Sequence, residues 1–92
     1  MKIFFISYDL GGPEAYSDYV ILSNHIKGLF EFWAKPVKSA WIVKSNKSAG
    51  QIRDEIKIKL DSNDKLIVIE IAKDWGTYNI AREVTDWMKR NI

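Results

Sequence analysis

Residues 30–45, FEFWAKPVKSAWIVKS, decide how the chain folds. Phe32 to Lys35 and Ser39 to Lys44 each read as a short strand, rich in aromatic and β-branched residues. Pro36 is expected to stop the first, because a prolyl nitrogen has no proton to give to a ladder. Two strands so close in sequence make a hairpin. What lies on either side of it then settles the architecture.

Upstream, KIFFISYD (2–9) is an apolar run broken only by Ser7 and ended by Asp9, a strand followed at once by Gly11, Gly12 and Pro13. Ser17 or Asp18 can cap a helix whose apolar positions Tyr19, Leu22, Ile26, Leu29 and Phe30 recur at the spacing of one buried face. Downstream, Ser48 with Gln51 forms a capping-box pattern, and Ile52, Ile56 and Leu60 follow at steps of four to define a second helix. DSND (61–64) terminates it. KLIVIEIA (65–72) is almost continuously apolar, as expected of a strand covered on both faces. A last helix, about 79–91, buries Ile80, Val84, Trp87 and Met88.

The order is therefore β-α-β-β-α-β with a helix appended, the split arrangement of ferredoxin-like domains. This predicts an α+β fold: an antiparallel four-stranded sheet with two helices on one face and an extra C-terminal helix. With 92 residues, 47% of them apolar, and no repeat, linker or low-complexity tract, residues 1–92 are expected to form a single domain. Ser7 and Asp9 alternate onto the side of Ile3 and Phe5, and Glu70 onto that of Leu66 and Val68. We assign these mixed sides of the two strands to the open face of the sheet. Apolar residues occur there too, so something has to cover it, either the third helix or a second copy of the chain, and a homodimer is expected.

Composition narrows the chemistry. Cysteine is absent, which excludes disulfides, thiolate catalysis and Cys-rich zinc sites and suits a reducing compartment. The N-terminal apolar run is too short for a signal core or a membrane span, so a cytoplasmic protein with no membrane partner is expected. The formal net charge of +2 is too small to argue for nucleic acid by itself.

Its distribution says more. Between Phe32 and Arg53 stand Lys35, Lys38, Lys44, Lys47 and Arg53, with no acid among them and with Trp33 and Trp41 interleaved. Phosphates need cations and unstacked bases use aromatic faces, which makes these residues a candidate surface for RNA or DNA. The competing reading is that hairpin lysines guard a sheet edge and that Trp41, within SAWIV, belongs to the core. Asp9 is the other handle. It is either a turn residue beside glycine, capping its own loop, or one of two converging carboxylates at a dimer axis. A magnesium ion, which prefers oxygen ligands, would be the cofactor of such a site. The remaining candidates favour structure. His25 has no second His or Cys to ligate a metal with, Ser7 has no triad, Tyr8 sits among core residues, and Glu14 would repel an anion from the Gly-Gly-Pro turn.

IFFISYDL followed by a loop and helix, and SAWIVKSNKSAGQIRDEIKIKLDSNDKLIVIEIAKDW, resemble small, largely uncharacterised bacterial proteins labelled SinR-family, over nearly the whole chain. That group is distantly similar to the smaller CRISPR spacer-acquisition subunit and to the virulence-associated D toxin ribonucleases, both ferredoxin-like dimers. The resemblance implies a metal-dependent nuclease site at a dimer interface, with Asp9 matching the acid that ends strand one. The chain departs from the spacer-acquisition subunit in having a terminal helix where that family commonly continues into another strand. Two functions follow. One is a non-catalytic dimeric module that binds nucleic acid or protein. The other is a magnesium-dependent endonuclease in which paired Asp9 residues hold the ion and hairpin lysines hold the strand.

Overall fold

The computed structural model describes residues 1–13 and 16–92. The chain runs β1 (Lys2–Asp9), α1 (Tyr16–Leu29), β2 (Trp33–Val37), β3 (Ala40–Ser45), α2 (Ala49–Lys57), β4 (Lys65–Glu70) and α3 (Arg82–Asn91). The strands form one four-stranded sheet in the order β2-β3-β1-β4. Every neighbouring pair is antiparallel. This is the ferredoxin-like arrangement with an added C-terminal helix.

β1 is central because both faces of it are apolar. Phe4, Ile6 and Tyr8 point into a core with Leu22, Ile26 and Phe30 of the α1 region, Trp41 and Val43 of β3, and Ile52 and Ile56 of α2. The capping box starts α2 where the side chains predict it: Gln51 N–H donates to Ser48 Oγ at 3.1 Å, and Ser48 N–H donates to Gln51 Oε1 at 2.8 Å. The four-residue step then places Ile52 and Ile56 on one face, both fully buried. The expected cap of α1 is different. Ser17 and Asp18 lie inside its first turn, and Asp18 there complements the positive end of the helix dipole.

The other side of the sheet carries a second cluster, in which Val84 and Met88 of α3 pack on Ile3, Ala34 and Ile42, with Trp75, Ile80, Trp87 and Ile92 around them. The third helix thus covers part of the open face from within the chain. It begins at Arg82 rather than near residue 79, because Asn79 has a φ of 57° and cannot enter a right-handed helix.

Register corrects one expectation. Leu66 stands opposite Tyr8, Val68 opposite Ile6 and Glu70 opposite Phe4. These residues therefore belong to the helix-covered side, where Leu66 and Val68 pack on the main core. The residues of β4 on the open side are Ile67 and Ile69, opposite Ser7 and Phe5. Parity within a strand says which residues share a face, but only pairing says which face that is. Pro36 does not end β2 either. It lies within the strand, at a register shift between Ala34 and Val37, where an edge strand can spare a donor.

Candidate nucleic-acid interface

The five cations of the hairpin region do not converge. Lys47 is held by Glu55, its Nζ donating to both carboxylate oxygens at 2.6 and 2.7 Å. Arg53 Nε pairs with Asp54 at 3.0 Å. Lys44 stands opposite Ile3, on the α3 side of the sheet, where its Nζ donates to Asn91 Oδ1 at 3.1 Å and lies 5.6 Å from the Phe32 ring centre. Only Lys35 and Lys38 remain together, joined by a 2.7 Å hydrogen bond from Lys35 Nζ to the Lys38 carbonyl.

They find a partner that charge counting along the hairpin missed. Lys27, in the last turn of α1, faces them across a groove of about 620 Å³ lined by Tyr19, Val20, Ser23, Asn24, Lys27, Lys35, Lys38 and Ser39. The signal was present in the helical spacing. Tyr19, Ser23 and Lys27 recur at steps of four, along one side of α1. No carboxylate or imidazole lines the groove among the described residues.

Two of these lysines lie over indole rings that do not themselves line the groove. Trp33 and Trp41 meet edge to face with ring centres 5.1 Å apart. Lys27 Nζ lies 5.4 Å from the Trp33 ring centre and Lys35 Nζ 5.2 Å from that of Trp41, both within cation–π range. Trp41 is fully buried, and its Nε1–H donates to the Tyr8 hydroxyl at 3.0 Å. It supports Lys35 from beneath and, being buried, offers no face to a base. Tyr8 is likewise a core residue. Burial, and then the neighbouring charge of Lys27, hold the Lys35 ammonium below its ordinary pKa. An anion in the groove would relieve both costs.

Asp9 lies elsewhere. It is exposed at the end of β1, opposite Lys65 of β4, in a shallow depression lined by Ser7, Tyr8, Lys65, Leu66 and Ile67. Among the described residues no group of three or more His, Cys, Asp or Glu side chains could hold a metal ion. Within one chain, a lone carboxylate facing a lysine does not fit magnesium, so any second acid would have to come from another copy.

The loop after Asp9 owes its shape to a different acid. Asp64 accepts from Gly11 N–H at 2.8 Å and from Asp61 N–H at 2.7 Å, tying the DSND turn to the Gly-Gly-Pro turn. Gly11 is required there, since a Cβ would come within 2.5 Å of the Asn63 side chain and 2.6 Å of its carbonyl oxygen. The anion bound by this loop amide is thus a side chain of the same protein. His25 is also structural, its Nε2 lying 2.7 Å from the Glu55 carbonyl.

The fold and the groove together define a small ferredoxin-like domain with a terminal helix and one concentrated cationic groove. No protein-family model matches the chain, and no solved structure matches it. No helix among the described residues is long and apolar enough to cross a membrane.

Proposed function

We propose that this protein is a non-catalytic module, working as a dimer, that binds single-stranded nucleic acid along the groove between α1 and the β2–β3 hairpin. One observation carries the reading. In a chain of nearly balanced charge, three lysines line one groove that no carboxylate enters among the described residues. Ammonium groups there can replace the counterions of successive phosphates, while Ser23, Asn24 and Ser39 add neutral hydrogen-bonding groups. The lysines are also pre-positioned. Two rest on indole rings, so less side-chain freedom is lost when phosphate binds.

The test is fluorescence anisotropy with labelled oligouridylate and oligothymidylate over a range of salt. Replacing Lys27, Lys35 and Lys38 together by alanine is expected to lower the salt slope by roughly 2, at about 0.7 per phosphate contact on a single strand. Lys47→Ala, whose ammonium is already committed to Glu55, should change little. An unaltered slope in the triple variant would remove the groove from consideration.

A second reading, the magnesium-dependent endonuclease with Asp9 paired across a dimer, draws on one specific observation. Asp9 is exposed at the end of the same strand that brings Phe5 to the incompletely covered face of the sheet. It requires cleavage of RNA or DNA by the purified protein with added magnesium, and loss of that cleavage in Asp9→Asn with the fold intact. Equal activity in wild type and variant would assign the cleavage to a contaminant.

A further inference from the structure

The two halves of the open face are treated differently. α3 lies over Ile3, Ala34 and Ile42, whereas Ile67 and Ile69 of β4 remain 52% and 49% exposed. β4 is also an edge strand, with β1 as its only strand neighbour among the described residues. Its hydrogen-bonding parity can be read directly. Ile71 N–H donates to the Ile3 carbonyl at 2.8 Å, so the odd-numbered residues of β4 turn their backbone groups towards β1. Tyr8 N–H donates to Ser39 on the opposite side of β1, which is the matching parity for that strand. Leu66, Val68 and Glu70 therefore direct their N–H and C=O groups outward from the sheet.

We propose that β4 pairs antiparallel with β4 of a second copy, about a twofold axis at Val68, to make one continuous sheet across two chains. This goes beyond the dimer of the functional reading by naming its surface and register. Three arguments select it. First, the outward groups of Val68 meet those of Val68 in the second copy, and those of Leu66 meet Glu70, so each strand completes the other's ladder. Second, this register places Ile67 opposite Ile69 of the second copy on the open face, twice by symmetry, closing four half-exposed isoleucines into one cluster. A shift of the axis to Ile67 would put Glu70 opposite Asp64, and a shift to Ile69 would put Lys65 opposite Lys73, so like charges disfavour both neighbours. Third, the alternative of laying α3 of a second copy over the isoleucines would present them with Arg82, Glu83, Lys89 and Arg90, the exposed residues of that helix. Its outward side is charged and does not complement them.

Sedimentation velocity, with cysteine cross-linking for register, tests this. Wild type is expected to be a dimer. Glu70→Pro removes an outward N–H that the single chain does not use, and should weaken association by about thirtyfold, one bond being lost on each side of the axis. Because its side chain is exposed, circular dichroism should be unchanged. The double variant Ile67→Cys/Ile69→Cys should oxidise to a disulfide-linked dimer, since facing residues that do not exchange hydrogen bonds have Cα atoms about 4.5 Å apart. Neither single cysteine variant should do so. A monomeric wild type, an undiminished dimer in Glu70→Pro, or a cross-linked dimer from either single variant would each overturn the proposed pairing. None of these results depends on nucleic acid, so failure of the groove and failure of the interface are separately visible.

Discussion

The two edges of the sheet are built on opposite principles. β2 is short and irregular: Pro36 withholds a donor, the register shifts between Ala34 and Val37, and Lys35 and Lys38 place charge along the hairpin. Those are the devices by which edge strands discourage further pairing. β4 keeps an unbroken register with β1 and is aliphatic in its middle, with Lys65 and Glu70 only at its ends and no proline or bulge. The difference teaches that the lysines of β2 have two roles at once, guarding an edge and lining a groove. Among the described residues no proline, bulge or mid-strand charge guards the β4 edge, which is why that edge rather than β2 is assigned to a second copy. The same pairing keeps the two Asp9 carboxylates at least three strand spacings apart, about 14 Å, too far to share one ion. Edge pairing and the paired-Asp9 nuclease are therefore mutually exclusive.

The comparison can be broken most forcefully from beneath β2. Trp41 is fully buried and supports Lys35 and Trp33, so Trp41→Ala is expected to lower stability by about 3–5 kcal/mol in urea unfolding and to abolish binding in the groove. A loss below about 1 kcal/mol would mean that the hairpin is not held from that side. The β4 edge is held by α2 packing above it, through Ile52 and Ile56 in the shared core. Ser48→Ala, which removes the acceptor for Gln51 N–H, should cost about 1 kcal/mol by the same measurement.

A smaller effect sharpens the contrast. Ile67→Lys gives β4 the kind of charge that β2 already has. At concentrations where the chain is monomeric it should change stability by no more than about 0.5 kcal/mol, because the side chain is half exposed, while association is lost. A large destabilisation of the monomer would show that Ile67 serves the fold of a single chain.

The smallest expected effect concerns pH. The lowered pKa of Lys35 means that, between that value and 10.5, the unfolded chain holds more protons than the folded one, so stability rises with pH across this window. Affinity for an anion moves the other way, since binding favours the ammonium form. As pH rises, oligonucleotide affinity should begin to fall before pH 10.5 is reached, and Lys35→Arg, which stays charged, should flatten that part of the profile. An identical profile in the variant would separate Lys35 from the anion.

By itself the amino-acid sequence determined the order of the elements. β1 was legible to its last residue because its apolar run stops at Asp9, and α2 was legible because Ser48 and Gln51 cap it by local hydrogen bonds. Local periodicity likewise identified Leu22, Ile26, Ile52 and Ile56 as core, while burial decided between the two readings of Trp41 in favour of the core. Tertiary structure decided what depends on pairing between distant segments. The register of β1 with β4 turned Leu66 and Val68 towards the helices and left Ile67 and Ile69 outside. The packing of α1 against the hairpin brought Lys27 to Lys35 and Lys38, while Glu55 and Asp54 took Lys47 and Arg53 out of the same set. Periodicity is a property of neighbours along the chain. A cationic groove and an open sheet edge belong to residues that meet only when the chain is folded, and their charges and donors count only after their partners are known.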